Sequence, residues 1–314
     1  MGKVAFLLSG QGAQKPGMGA GLMDIPEARE VFDAAAEAFG FDVAGACLNA
    51  EPERLNDTAI AQPAMCACSV ASAAALRAAG VEPQFVAGFS LGQIGALAVS
   101  GMVSVEDAFR IAAFRAEVMA KAAAERDGAM CALMGGDSAE VEEVCAEYAQ
   151  GDILVPANFN SPGQIVVSGD RAAVVRAQEA WVARPKHRAA MLATSGAFHS
   201  PLMQSAADEL AGFLAGIEFR EASVPLVCNV DARPLAAADA ADHLVRQVVS
   251  PVRFEQSVLW LAEQGVDTFV ECGFGGVLVG LVRRTDKSAA RFKAESAEDI
   301  AAVKEHLETA AANA

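Results

Sequence analysis

Apolar residues follow two rhythms along this chain, and the way they alternate predicts its architecture. Val4–Leu8 is an unbroken apolar run closed by Ser9-Gly10, the pattern of a buried strand feeding a glycine loop. Helical spacing follows over about Ala28–Phe39 and then Pro63–Ala79. A second short run, Phe85–Phe89, leads into helices over Leu91–Val99 and about Val105–Ala124. Strand, loop and helix in this order predict a parallel sheet with helices on both faces.

The middle of the chain changes pattern. Strand-like Ala129–Met134 precedes helical Ser138–Gln150, whose Val141, Val144 and Cys145 share a face. Two strands, Ile153–Ala157 and Gln164–Ser168, are joined by the turn-rich Phe159–Gly163. Helix Arg171–Ala183 and strand Arg188–Ala193 complete a β-α-β-β-α-β series, the ferredoxin-like pattern. Pro201–Gly216, Leu226–Asn229, Val258–Gln264 and Thr268–Glu271 then resume the alternation of helix and strand. The expected organisation is a large α/β domain at 1–125 and 197–314, interrupted by a small ferredoxin-like domain at 126–196. The Ala-rich end, Ala289–Ala314, reads as an amphipathic helix or a frayed end.

Composition narrows the function classes. With 314 residues, 53% hydrophobic and 20% charged, the chain is far from the composition of disorder and large enough for two domains. A net charge of −16 argues against a general nucleic-acid or anionic-membrane binder, both of which need excess Lys and Arg. Seven scattered Cys show no Cys-x-x-Cys spacing and read as reduced cytosolic thiols rather than metal ligands or disulfides. Thr58–Leu76 and Phe85–Val103 lack charge, but the first reads as a small-residue buried helix. Gly88, Gly92, Gly95 and Gly101 make the second a strand–turn–helix unit rather than a membrane span. No secretory signal is visible, so a soluble, cytoplasmic protein is expected.

Four features could carry chemistry. Gly88-Phe89-Ser90-Leu91-Gly92 fits the Gly-x-Ser-x-Gly turn that pushes a serine hydroxyl outward between strand and helix, beside the free N–H groups of the helix start. Of four histidines, His199 is set just before Ser200-Pro201, a helix start that disfavours imidazolium. It is either a packed histidine or the base for Ser90. The loop Ser9–Gln14 is neither a Gly-x-Gly-x-x-Gly nor a phosphate loop. It is either a plain glycine turn or a source of oxyanion donors, Gln11 acting with the Leu91 N–H. Finally, Arg110, Glu117, Glu106 and Lys121 fall within a sector of about 60° of one helix, and Arg115 lies about 130–140° from its middle. A buried guanidinium requires an anion, either an Asp or Glu of the chain or a carboxylate on a substrate.

These residues in this order resemble the malonyl-CoA:acyl-carrier-protein transacylase family, the acyltransferases of fatty-acid and polyketide synthesis. The resemblance covers nearly the whole chain. It rests on Gly10–Gln14, Ala87–Gly92, Arg115, Asn158–Gln164, Gly196–Ser200, Arg246-Gln247 before Pro251-Val252, and Glu271–Gly273. It implies an α/β-hydrolase-like large domain with a ferredoxin-like insertion. By the same resemblance Ser90 is the nucleophile, His199 its base, and Gln247 orients the histidine, largely through its main-chain carbonyl. Gln11 and the Leu91 N–H match the oxyanion hole, and Arg115 the arginine that grips the malonyl carboxylate. Asn158 and Asn160 fall where the family lines its cleft, and Phe198 where it crowds out an α-methyl group. The family usually has Gly-His-Ser-Leu-Gly-Glu at the turn; here Phe89 and Gln93 replace His and Glu, and its late Gly-Pro-Gly is Gly273-Phe274-Gly275.

The implied reaction is ping-pong transfer of malonyl from malonyl-CoA to the phosphopantetheine thiol of acyl carrier protein, in fatty-acid biosynthesis, by a monomer needing no cofactor or metal. A serine thioesterase or esterase shares the same machinery but passes the acyl group to water. A non-enzymatic carrier-protein adaptor is the other rival, motivated by Phe89 and Gln93. Because this chain is acidic, docking of an acidic carrier has to use local basic groups, here Lys186-His187-Arg188 and Arg283-Arg284 with Lys287.

Overall fold

Lys3–Leu8 forms β1, and every residue of it except Lys3 is buried, as an apolar run in the middle of a sheet requires. The structure is a computed structural model that describes residues 2–55, 57–194 and 196–312. After β1 come α1 (Pro26–Phe39), α2 (Val43–Asn49), α3 (Pro52–Leu55) and the long α4 (Thr58–Ala78). Then follow β2 (Phe85–Gly88), α5 (Gly92–Ser100) and α6 (Val105–Glu125). The middle supplies β3 (Gly128–Met134), α7 (Ser138–Ala149), β4 (Leu154–Ser161), β5 (Gln164–Asp170), α8 (Arg171–Val182) and β6 (Arg188–Met191). The rest is α9 (Gln204–Leu214), β7 (Leu226–Val227), α10 (Ala240–Val249), β8 (Val252–Arg253) and α11 (Phe254–Glu263). It ends with β9 (Val266–Cys272), α12 (Val277–Thr285), β10 (Ala290–Ala294) and α13 (Ala297–Ala312).

The strands make two sheets in a mixed α/β fold. The first, ordered β10-β9-β1-β2-β7, is parallel throughout. Its strands therefore all end on one edge, where open parallel sheets bind ligands. The second, ordered β6-β3-β5-β4-β8, pairs antiparallel except at β4–β8, where Asn158 and Phe159 meet Val252 and Arg253. Its fifth strand thus comes from outside residues 126–196.

Three expectations need correction. The turn-rich Phe159–Gly163 is mostly strand: β4 runs to Ser161 with two irregularities in its register, leaving Pro162-Gly163 as the turn. Backbone pairing with β5 outweighs the turn-forming composition; it sets Asn158 opposite Val166 and leaves Asn160 at the second irregularity. The Ala-rich tail is not only helix, because Ala290–Ala294 pairs with Thr268–Cys272 and covers the edge that β9 would otherwise leave open. Its last residues, Asn313 and Ala314, lie outside the described ones. Helix α4 begins five residues before Pro63, where the Asp57 carboxylate accepts from the Ala59 N–H.

Among the described residues α4 is the one helix long and apolar enough to cross a membrane, with mean hydropathy 1.5, yet 83% of that stretch is buried inside the fold. Its Ala, Cys and Ser side chains allow close packing in the main core.

Candidate active site

The Ser90 turn is built by close approach. A Cβ on Gly88 would meet the Gly92 carbonyl carbon at 2.0 Å, and one on Gly92 would meet the Leu8 oxygen at 2.0 Å. Only glycine lets the end of β2, the start of α5 and the end of β1 come this near. Ser90 itself is forced to φ 52°, a left-handed conformation that costs a non-glycine residue energy and is seen where function demands it.

Ser90 Oγ lies 2.7 Å from His199 Nε2, and His199 Nδ1 lies 2.8 Å from the main-chain oxygen of Gln247. Because a carbonyl only accepts, Nδ1 carries the proton, and Nε2 is free to accept from the Ser90 hydroxyl. The structure thus brings together Ser90, His199 and the Gln247 carbonyl, the three groups that the sequence analysis linked. His199 is 3% exposed and also sits at positive φ, 58°. Its pKa falls to about 4, through burial first and the nearby Arg115 charge second, while carbonyls of Gln247 and Ser250 oppose the shift. The cause differs from the expected helix start: loss of water and a neighbouring cation keep this imidazole neutral.

A base works unprotonated, so a depressed pKa extends its working range towards acid. The rate of Ser90 acylation should stay flat from neutral pH to about 5 and halve near 4, where an ordinary histidine would lose half near 6.5. The check is single-turnover acylation with a malonyl thioester lacking phosphate groups, which themselves titrate near pH 6. A midpoint near 6.5 rejects the environment described for His199.

For Arg115 the structure speaks against one of the two readings left open by the sequence, a carboxylate of the chain as partner. It is 1% exposed on α6, and its Nη1 donates to Gln62 Oε1 at 3.1 Å. Nη2 reaches both Ser90 Oγ and Gln247 Oε1 at 3.2 Å, and Nε has no partner. Every acceptor is neutral, and no carboxylate among the described residues pairs with it. Burial lowers its pKa to about 10, which leaves it cationic at neutral pH. A buried cation without an anion, touching the Ser90 hydroxyl, can receive an anionic ligand.

Gln11 departs from the simplest expectation. Its amide nitrogen lies 3.5 Å from Thr58 Oγ1, and its oxygen is 3.5 Å from Gln62 Nε2, so the side chain is directed at α4. It nonetheless lines the same cavity as Ser90, His199 and Arg115. The Leu91 N–H has no hydrogen-bond partner among the described residues and stands at the start of α5. Asn158, Asn160 and Phe198 line the cavity as expected, and Asn160 Oδ1 is buried without a partner.

Two residues in this network were not singled out from sequence. Asn229, just after β7, accepts from the Ser90 N–H (2.9 Å) and from Gln247 Nε2 (3.0 Å), and donates to the Gly88 oxygen (2.6 Å). Its position at the carboxyl end of a strand in the parallel sheet was the available signal. Gln62, a buried amide among the small side chains of α4, is a neutral partner of Arg115. The departures at the turn are also accommodated. Phe89 packs edge-on against Phe254, and buried Gln93 accepts from the Asn229 N–H at 2.7 Å just as a carboxylate would. Gln93 Nε2 is left without an acceptor.

A hydroxyl held by a neutral imidazole, beside an unpaired buried cation and a free backbone donor, is equipped for covalent transfer of a negatively charged acyl group. An acyl transferase domain model matches residues 5–308. The malonyl CoA-acyl carrier protein transacylase of Escherichia coli (strain K12) is 40% identical over 287 residues, covering 90% of this chain and 93% of its own length. Its Bacillus subtilis (strain 168) counterpart is 38% identical over 290 residues, covering 91% and 92%. The crystal structure of the malonyl-CoA:acyl carrier protein transacylase from Xanthomonas oryzae superposes with TM-score 0.93 at 40% identity, covering 96% of this chain and 98% of that one. A type II PKS acyl-carrier protein in complex with its malonyl-transacylase provides another likeness. That match has TM-score 0.93 at 37% identity and covers 97% and 99%. This chain belongs to the malonyl-CoA:acyl carrier protein transacylase family of acyl transferases.

Proposed function

We propose that this chain moves malonyl from malonyl-CoA to the phosphopantetheine thiol of acyl carrier protein through a malonyl ester on Ser90. Ser90 Oγ attacks the thioester carbonyl as His199 Nε2 takes its proton, and the Gln247 carbonyl steadies the imidazolium through Nδ1–H. The Leu91 N–H meets the oxyanion, joined by Gln11, whose 3.5 Å contacts are weak enough to exchange. Collapse breaks the C–S bond, and His199 returns its proton to the departing CoA sulfur. The carrier thiol then repeats the sequence in reverse, leaving Ser90 free.

The observation that carries this reading is Arg115. In a malonyl thioester the carboxyl carbon is about 2.5 Å from the thioester carbonyl carbon, two bonds away. An arginine 3.2 Å from the attacking oxygen therefore suits a short diacid and offers it two N–H donors. Phe198 is read as the wall that excludes an α-methyl group, and Asn158 and Asn160 as cleft-lining polar groups. The chain is read as a cytoplasmic monomer active in fatty-acid biosynthesis and needing no cofactor for the transfer. Residues 1–125 and 197–314 are read as an α/β-hydrolase-like domain, and 126–196 as a ferredoxin-like insertion.

The test is intact mass after incubation with malonyl-CoA, with and without carrier protein. The expected result is one malonyl adduct, stable in water and discharged by the carrier. Rapid discharge to water alone makes the chain a hydrolase, and no adduct rejects covalent transfer. Exposed Arg283 and Arg284 near the cavity are proposed to meet the carrier, so Arg283→Glu should slow carrier discharge without slowing adduct formation. The Lys186–Arg188 group is a weaker dock, because His187 Nε2 lies 3.5 Å from Glu140 Oε1.

A further inference from the structure

We propose that Cys228, Asp231 and His243 form a zinc-binding site at the turn after β7, outside the acyl-transfer site. The three offer a thiol, a carboxylate and an imidazole whose ligand atoms all lie within 4.8 Å of one another. Cys228 Sγ is 2.8 Å from Asp231 Oδ1, and His243 Nε2 is 3.0 Å from Asp231 Oδ2. Zinc bonds of 2.0–2.3 Å at tetrahedral angles put ligand atoms about 3.3–3.8 Å apart. Lengthening the two carboxylate contacts by less than about an ångström would bring them to that spacing.

A second observation points the same way. His243 Nδ1 lies 3.0 Å from the main-chain oxygen of Asp239, which can only accept, so Nδ1 carries a proton. That leaves Nε2 turned on the carboxylate, with its lone pair placed to meet a cation held there. Zinc-bound imidazoles normally have this arrangement, with the other ring N–H donated to a carbonyl or carboxylate that fixes the tautomer. The ligand set is too soft for magnesium or calcium, which take oxygen, and suits zinc with water in the fourth position. Asp231 has 47% of its side chain exposed and His243 13%, so the ion has a way in.

Binding forms a Zn–S bond, releases the Cys228 thiol proton to solvent and changes no oxidation state. The ion would staple the β7 turn to α10. Asn229 in that turn holds the Ser90 N–H, and Gln247 on α10 holds His199. This departs from the expectation that the cysteines bind no metal, and it stands independently of the acyl-transfer reading.

The experiment is titration of the chelator-stripped, full-length protein with cobalt(II). A thiolate-to-cobalt charge-transfer band should saturate at one ion per chain and be bleached by one equivalent of zinc. Cys228→Ser should lose the band while the six other buried cysteines remain as an internal control. Asp231→Asn and His243→Gln should weaken binding at least about tenfold, the least that loss even of an outer partner costs. No band in the wild type, or the same band in Cys228→Ser, overturns the site. If Cys228→Ser does not fold, the two other variants decide, and unchanged cobalt affinity in both overturns it equally.

Discussion

Replacing Ser90 with Ala should lower kcat/KM for malonyl transfer by about 10⁴–10⁶-fold, the range seen when a nucleophile is removed from a coupled serine site. At about 1.36 kcal/mol per decade this is a barrier rise of roughly 5–8 kcal/mol. His199→Ala should fall in the same range. The double variant should lose little more than either single one, because the 2.7 Å Ser90–His199 contact makes the two one unit. Intact mass should detect no malonyl adduct on Ser90→Ala, and adduct formation slowed by decades on His199→Ala. Additive losses in the double variant would mean that the two groups act separately, contrary to the geometry. Folding should survive the serine substitution, since its backbone is held by Asn229 and by the close approach at Gly88 and Gly92 rather than by the hydroxyl.

What the sequence made legible follows from where the information lies. Ser90, His199 and Arg115 sit in local patterns, a glycine-bracketed turn, a helix start and an off-phase charge, and each pattern survives without knowledge of the fold. The parallel sheet and the β-α-β-β-α-β middle were legible for the same reason, since strand and helix periods are local. Asn229 and Gln62 were not, because their roles consist of contacts 139 and 53 residues away in sequence. Their neighbours in the chain carry no hint of those partners. The β4 extension was hidden by turn-forming residues that pair only because β5 lies beside them. Whether Arg115 pairs with a carboxylate of the chain could be judged only in three dimensions, where none among the described residues lies against it. The Cys228–Asp231–His243 cluster escaped a search for paired cysteines because two of its members are not cysteines and one arrives from α10.

The second large effect concerns selectivity, and the variant is Arg115→Met. Methionine keeps most of the volume and removes the charge. Its kcat/KM with malonyl-CoA should fall by about 10²–10⁴-fold, matching the roughly 3–5 kcal/mol lost when one partner of a buried ion pair is removed. Transfer of acetyl should not fall with it, so the preference for malonyl disappears. A structural role would act otherwise, lowering both substrates together. A second readout comes from His199, because the Arg115 charge is one cause of its low pKa. Removing a cation makes imidazolium easier to form, so the acid limb of the rate profile should move up from about 4. It should stop short of 6.5, since burial, the larger cause, remains. Arg115→Lys keeps a charge but not the paired N–H donors, and should recover the acid limb better than the malonyl preference. If Arg115→Met retains its preference for malonyl over acetyl, the unpaired guanidinium is not the carboxylate's partner, and the short-diacid assignment fails while the serine chemistry stands.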